Sequence, residues 1–181
     1  MLSAVQIKPD VYAVGAIDWN AREFHGYTTE QGITYNAYLI LDEKITLIDT
    51  VKYTMTDELI ERIQSIIDPA KIDVVVCNHI EMDHSSSLPA ILKVAPNAAV
   101  YASAPQGVKE LKAFYGEDLE VNGVKTGDTL SIGKRTLHFV QTPMVHWPDN
   151  MVTYSDVDKI LFSNDAFGQH YASSTRFDDE S

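Results

Sequence analysis

The sequence predicts an α+β fold in which a sandwich of β-sheets carries helices on its outer faces. Residues 10–48 alternate apolar and polar side chains in the way of antiparallel strands, and residues 119–163 return to that pattern. Between them, residues 54–116 combine helical apolar stripes with short apolar runs, as β/α units do. A β-meander, then β/α units, then a second meander is the order expected of such a sandwich.

The first region carries three predicted strands. The opening strand covers residues 10–17, and a hairpin joins residues 35–41 to residues 44–48 across an acidic turn. Residues 18–32 are polar and show no periodicity, so we predict an irregular segment there.

The central region carries three predicted helices and two predicted strands. The first helix begins at Thr54 and ends before Pro69, because its apolar residues recur three and four positions apart. Those residues are Leu59, Ile60, Ile63, Ile66 and Ile67. The second helix covers residues 89–95 and the third residues 103–116, the latter with an apolar stripe. That stripe consists of Val108, Leu111 and Phe114, and the two strands are residues 72–77 and 99–102.

The last region is predicted to be a β-meander. Turn signals occur at Asn122-Gly123, Gly127-Asp128 and Gly133-Lys134. The predicted strands are residues 129–132, 136–141, 151–154 and 159–163.

Charge and cysteine content exclude several classes of protein. The 181 residues contain 14 Lys and Arg against 26 Asp and Glu, a net charge of −12, which argues against nucleic acid and anionic membranes as partners. Cys77 is the only cysteine, so no intrachain disulfide forms, and we interpret it as a core residue. No secretion signal and no membrane-spanning run is visible, so we expect a cytoplasmic protein.

Four potential metal ligands follow directly on the buried strand of residues 72–77. They are His79, Glu81, Asp83 and His84, two imidazoles and two carboxylates within six residues. In open α/β sheets, ligands bind beyond the carboxyl ends of the strands. The position and the residue types together predict a metal site.

The spacing of this motif suggests how an extended loop would present it. His79, Glu81 and Asp83 would point to one side, with Ile80 and Met82 on the other. The alternative is an ordinary solvated turn, in which charged residues are common. Apolar residues between the charges argue against that alternative.

Two further ligand types stand alone after predicted strands. Singly, His146 reads as a loop histidine and Asp165 as a turn former. With the four residues of the motif they make six ligands, more than the four of a structural zinc site. Two metal ions bridged by a carboxylate fit that number, and Asp165 is the best candidate for the bridge.

These motifs resemble the metallo-β-lactamase-type domain of the flavodiiron proteins, also called A-type flavoproteins or rubredoxin:oxygen oxidoreductases. The resemblance rests on His-x-Glu-x-Asp-His from His79 to His84, on the lone His146, and on Asp165 within Ser-Asn-Asp-Ala-Phe-Gly. It extends over essentially all 181 residues and implies a metallo-β-lactamase-like αββα sandwich. Hydrolases of this fold normally carry His at the position of Glu81, and a carboxylate there favours iron over zinc.

The resemblance also implies roles for individual residues. Two iron ions would be bound, with His84 swinging away from the metal in some members of the family. The implied ligands are His79, Glu81 and His146 for one ion, Asp83 and His84 for the other, and Asp165 as the bridge. His25, Tyr27 and His170 would serve catalysis from the pocket beside the metals, steering or protonating the substrate. His138 is interpreted as structural.

For the intact protein, the resemblance implies reduction of O2 to water or of NO to N2O. Electrons would come from FMN and a rubredoxin-type donor, within a head-to-tail homodimer. The flavodoxin-like FMN domain and a further His ligand are absent from residues 1–181. We therefore expect one metallo-β-lactamase-like domain over these residues, incomplete at its C-terminus, with only the N-terminal half or slightly more of the sandwich and doubtful activity alone.

Two other functions remain open. One is a diiron O2 sensor that has no flavin domain and signals to a partner. The other is a zinc hydrolase of the same superfamily, against which Glu81 argues.

Overall fold

The computed structural model describes residues 2–180 except for the side chain of Asp178, so Ser181 lies outside the described residues. In chain order the strands are β1 (Val5–Lys8), β2 (Val11–Ala13), β3 (Ala16–Asp18), β4 (Glu23–Phe24), β5 (Tyr27–Thr28), β6 (Ile33–Tyr35), β7 (Tyr38–Ile40), β8 (Thr46–Ile48), β9 (Val74–Cys77), β10 (Ala99–Ser103), β11 (Val121–Val124), β12 (Thr129–Ser131), β13 (Thr136–Gln141), β14 (Met151–Ser155) and β15 (Ile160–Phe162). The helices are α1 (Thr56–Gln64), α2 (Met82–Ser85), α3 (Leu88–Val94) and α4 (Gln106–Tyr115). Four 3₁₀ turns cover Tyr53–Met55, Pro69–Lys71, Asn164–Phe167 and Asp178–Glu180.

Two sheets form the framework of the described residues. The larger has the order β1-β2-β7-β8-β9-β10-β11, antiparallel from β1 to β8 and parallel from β8 to β11. The smaller is the antiparallel meander β12-β13-β14-β15. The predicted order of meander, β/α units and meander is confirmed.

The core lies on both faces of the larger sheet. In β9, Val75 and Cys77 belong to the apolar cluster on the helix side, together with Leu59 of α1 and Leu111 of α4. The alternate residues of β9 belong to the cluster shared with the smaller sheet. That second cluster includes Val74, Val76, Leu137, Phe139, Met151 and Phe162. The strand is therefore buried on both faces as predicted, and Cys77 is a core residue.

The predicted opening strand of residues 10–17 is wrong in one respect, because the chain changes sheet in its middle. The backbone N–H groups of Val14 and Gly15 both donate to the carbonyl of Ala37, at 2.9 and 3.1 Å. A Cβ at Gly15 would lie 2.0 Å from the carbonyl oxygen of Tyr35, so only glycine fits here. Beyond this point β3 pairs with β6 in a separate two-stranded sheet.

Three other predictions are corrected by the structure. Residues 18–32 are not irregular throughout, since β4 and β5 form a short hairpin there. Asn122 and Gly123 form no turn but lie in β11, parallel to β10, where the Asn122 side chain donates to the carbonyl of Val100 at 3.1 Å. Phe114 of α4 is exposed, so the apolar stripe of that helix is narrower than predicted.

The helices that cover the sheets are short. Among residues 2–180, none has the length and apolar character needed to cross a membrane.

Candidate metal centre

The carboxyl end of β9 is held between the two sheets by Asn78. Its backbone N–H and its side-chain amide donate to the two carboxylate oxygens of Asp49, at 2.7 and 3.1 Å. From the smaller sheet, the Thr153 hydroxyl donates to the Asn78 side-chain oxygen at 2.6 Å. Burial raises the pKa of Asp49 to about 6 against the opposing effects of His84 and Asn78. These hydrogen bonds fix the position of the residue that directly precedes the motif.

The motif itself is not the extended loop that its spacing predicts. The N–H groups of His84 and Ser85 donate to the carbonyl of Glu81 at 2.9 and 3.0 Å, so the chain turns into α2. Ile80 is buried, whereas Met82 is half exposed, so these two residues do not share one apolar side. The helical turn separates Asp83 and His84 from the two ligand-type residues before it.

Four side chains form the first donor group. Nε2 of His79 and Nε2 of His146 each lie 3.1 Å from Oε2 of Glu81. Nε2 of His146 also lies 3.3 Å from Oδ2 of Asp165. Their donor atoms are all within 4.8 Å of one another, a spacing that can hold a metal ion.

Asp165 also belongs to a second donor group. Its other oxygen, Oδ1, lies 2.9 Å from Nε2 of His84, which is in turn 3.4 Å from Oδ2 of Asp83. Here too the donor atoms lie within 4.8 Å of one another. The structure thus brings all six predicted ligands together, with one oxygen of Asp165 facing each group.

The charges in this cluster perturb one another strongly. Burial opposes ionisation of Asp165, but hydrogen bonding to His84 and the neighbouring imidazoles outweigh it and lower the pKa to about 2. Burial likewise opposes protonation of His79, yet its hydrogen bonds to Asp149 and Glu81 raise the pKa to about 9. The pKa of His84 is raised well above its ordinary value by Asp165 and Asp83 in the same way.

One buried polar atom supports a missing positive partner. Oδ1 of Asp83 has no hydrogen-bond partner among the described residues. Buried polar atoms are normally paired, because leaving one unpaired costs about 1–3 kcal/mol. The donors are carboxylates and imidazoles, which suit iron, and the residues present therefore fit a metal pair.

The three residues predicted to serve catalysis lie at different distances from the cluster. Nε2 of His25 lies 2.9 Å from Oε1 of Glu81, and its ring stacks on Phe24 at 4.0 Å. The His170 ring lies 5.3 Å from Phe24 and 6.3 Å from His25. Tyr27 is exposed and stacks on His170 at 5.4 Å, with no hydrogen bond to the cluster. His25 is therefore the one in direct contact with a ligand-type residue.

Two cavities open next to the donor groups. One, of about 320 Å³, is lined by Glu23, Phe24, His25, Lys52, Glu81, Met82, Asp83, Phe114 and Trp147. The other, of about 140 Å³, has Asp83, His84, His146 and Asp165 in its lining, together with Phe24 and Tyr35. His138 is half-buried on β13, with its Nε2 3.9 Å from Oδ2 of Asp156, and it lines neither cavity.

Sequence reasoning missed two buried carboxylates, Asp49 and Asp149. Asp149 accepts a hydrogen bond from His79, and Asp49 holds Asn78 beside it. Asp49 follows an apolar strand, which is the same signal that singled out Asp165. Asp149 stands in Pro-Asp-Asn, a sequence typical of turns, and carries no signal that separates it from one.

Comparison with known families identifies the domain. Residues 33–180 match the family described as "ODP family beta lactamase", which is most of the chain. The chain belongs to the ODP family of beta lactamases. The resemblance stated from the sequence is confirmed, since the ODP-family domain corresponds to the N-terminal β-lactamase-like domain of the flavodiiron proteins.

Two curated relatives of this ODP-family domain are enzymes by name. The rubredoxin-oxygen oxidoreductase of Megalodesulfovibrio gigas is 48% identical over 181 residues, which cover 99% of this chain and 45% of the relative. The nitric oxide reductase of Moorella thermoacetica is 48% identical over 183 residues, with 99% and 46% covered. The chain thus spans about half the length of the curated relatives it matches.

Solved structures agree on the fold. The rubredoxin oxygen:oxidoreductase of Desulfovibrio gigas superimposes with a TM-score of 0.94 at 48% identity, covering 99% of this chain and 45% of that one. The flavodiiron protein of Giardia intestinalis gives a TM-score of 0.95 at 45% identity, with 100% and 44% covered. The predicted α+β, metallo-β-lactamase-like fold is therefore confirmed.

Proposed function

We propose that this domain binds two iron ions and that the intact protein reduces O2 to water, NO to N2O, or both. The observation that carries the proposal is the position of Asp165. One of its oxygens faces His146 in the first donor group and the other faces His84 in the second. A carboxylate so placed is suited to join two metal ions.

The donor set favours iron as the metal. His79, Glu81 and His146 would hold one ion, Asp83 and His84 the other, and Asp165 both. Carboxylates are hard donors, and Cys77, the softest potential ligand, is buried in the core. When bound, a pair of iron ions supplies electrons to a diatomic gas, which zinc cannot do because it does not change oxidation state.

The side chains around the metals would supply orientation and protons. Nε2 of His25 lies 2.9 Å from Oε1 of Glu81, the carboxylate oxygen that does not contact His79 or His146. The side chain of His25 is 43% exposed and can exchange a proton with water at the mouth of the larger cavity. His170 and Tyr27 extend this arrangement towards the surface.

The smaller cavity suits a small substrate. Its volume of about 140 Å³ has room for a diatomic gas molecule and several water molecules. Its lining includes the carboxylates and the imidazole of the second donor group, together with the rings of Phe24 and Tyr35. Burial and the neighbouring Asp18 and Asp83 raise the pKa of Tyr35, so its phenol stays protonated.

The names of the relatives support the remaining parts of the proposal. Electrons would reach the metals from FMN in a flavodoxin-like domain of the intact protein, supplied by a rubredoxin-type donor. Met82, Phe114 and Trp147 expose apolar surface around the larger cavity, which suits the flavin domain of a head-to-tail partner. A single buried cysteine supports a cytoplasmic location.

Metal analysis and gas consumption test this proposal. The protein is loaded with Fe²⁺ without oxygen, and we expect about two iron ions per chain, a number set by the two donor groups. The intact protein, supplied with reduced rubredoxin, should then consume O2 or NO. A protein that binds zinc alone and leaves both gases unchanged would contradict the proposal.

A further inference from the structure

Asp149 is a buried carboxylate that touches the first donor group from behind. It lies in the loop before β14, and its side chain is fully buried. One oxygen, Oδ2, lies 2.8 Å from Nδ1 of His79 and accepts a hydrogen bond of 2.8 Å from the N–H of Ile80. The carboxylate therefore holds both the ring of His79 and the backbone that follows it.

The position of Asp149 is itself fixed. Its backbone carbonyl accepts a hydrogen bond of 2.5 Å from the Ser103 hydroxyl at the end of β10. Oδ2 already accepts the hydrogen bond from the Ile80 N–H, so it acts as an acceptor towards His79 as well, and Nδ1 of His79 carries the hydrogen.

This contact determines which ring nitrogen of His79 faces the cluster. With Nδ1 engaged by Asp149, Nε2 is turned towards Glu81 at 3.1 Å. A histidine ligand held through its other nitrogen loses less freedom on binding metal, and such partners typically contribute about 10- to 100-fold in metal affinity.

The second donor group lacks an equivalent. Nδ1 of His84 is buried but has no hydrogen-bond partner among residues 2–180, so nothing in this part of the chain holds that ring from behind. The two groups share Asp165 but differ in how their histidines are supported. A change at Asp149 should therefore affect them unequally.

We propose that Asp149 is the positioning residue of the first metal position, fixing the tautomer and the orientation of His79, and that it does not act on the second. The inference rests on the proposed metal binding. It predicts a selective effect, which a residue needed only for folding would not produce.

Titration with Co²⁺, a metal whose visible spectrum reports its ligands, tests the inference on three variants. Asp149→Ala removes the acceptor and should weaken one of two binding steps by about 10- to 100-fold, leaving the other within about threefold. Asp149→Asn keeps a neutral acceptor for His79 and should weaken the same step by less. Glu110→Gln is the control, because burial and then the charge of Asp149 raise the pKa of Glu110, while its side chain accepts a hydrogen bond from Gln106 and not from a ligand.

The outcomes separate the two proposals. Equal weakening of both steps in Asp149→Asn, or no change in either step in Asp149→Ala, would overturn the role of Asp149. The spectrum of the affected step should change while that of the other remains as in the wild type. If Asp149→Ala does not fold, Asp149→Asn alone carries the test. A wild-type protein that binds no metal would instead refute the proposed function.

Discussion

Two clusters of buried charge lie in this domain, and they are neutralised in different ways. Around Arg135, the guanidinium donates two hydrogen bonds to Asp158, at 2.8 and 3.1 Å, and one to Asp42 at 3.3 Å. Its remaining hydrogen bonds go to the carbonyls of Pro9 and Leu41. All three charged side chains are buried, and the cation is part of the chain.

The metal cluster has no such internal cation. Among the described residues, the ion pairs of Glu81, Asp83 and Asp165 are all with histidines. A histidine with its ordinary pKa of about 6.5 is mostly neutral at pH 7, so it balances the charge of a carboxylate only by taking up a proton. The carboxylates around Arg135 are therefore neutralised by the chain itself, whereas those of the metal cluster need a proton or a bound metal ion to balance their charge.

Replacing Asp165 should have the largest effect of the substitutions in the two clusters, because it removes metal binding. Asp165→Ala removes one donor from each group, so we expect metal binding at both positions to fall below detection and turnover to be lost. Elemental analysis after loading with Fe²⁺ measures this. His138→Ala is the control, because that histidine lies outside both groups and should leave about two metals per chain. Equal metal loss in the two variants would show that Asp165 has no special role.

Replacing the internal cation should destabilise the fold without touching the metals. Arg135→Met leaves the buried carboxylates of Asp42 and Asp158 without a cation, which we expect to cost about 3–5 kcal/mol in the free energy of unfolding. Arg22→Met is the matched control, since the hydrogen bonds of Arg22 are exposed and its loss should cost about 0.5 kcal/mol or less. Urea unfolding measures both, and similar costs would contradict the structural role of Arg135.

Replacing His25 should separate metal binding from proton supply. His25→Ala and His25→Gln both keep the six ligands, so we expect metal content to be unchanged. Turnover should fall by about 100-fold in both variants, because neither side chain can deliver the proton that the imidazole holds. Full activity in His25→Gln would show that a polar contact with Glu81 is enough and that His25 supplies no proton.

The smallest expected effect is the acid sensitivity of the Arg135 cluster. Burial raises the pKa values of Asp42 and Asp158, but hydrogen bonds from backbone N–H groups and Arg135 outweigh it, so both are lowered. The stability they contribute is therefore present above the unfolded pKa of about 4 and is lost as pH falls below it. Unfolding measured between about pH 5 and 2 should show this loss in wild type and a smaller one in Arg135→Met.

The same contrast explains what the sequence could and could not predict. The ligand types of the metal cluster follow apolar strands directly, so local pattern and resemblance singled out all six, from His79 to Asp165. Asp149 was missed because its partner, His79, lies 70 residues away and only the packed fold brings them together. The contacts of Arg135 with Asp42 and Asp158 also join residues that are far apart in the sequence, 93 and 23 positions, so no local pattern predicts them.

The errors in the fold have a similar origin. Asn122 and Gly123 favour a turn locally, yet pairing with β10 places them in a parallel strand. Residues 10–17 read as one strand because nothing in their pattern reveals that Gly15 must pack on the backbone of Tyr35. The short α2 escaped prediction because Glu81 to Ser85 complete only a single helical turn, too short for a periodic stripe.

The origin of the ligands in two sheets has a consequence for the life of the protein in the cell. His79 follows β9 of the larger sheet and Asp165 follows β15 of the smaller, so bound ions clamp one layer to the other. By mass action, free iron at 100 times its dissociation constant would stabilise the folded state by about 2.7 kcal/mol per site. Under the proposed function, iron starvation would then remove the activity and also expose the polypeptide to faster degradation.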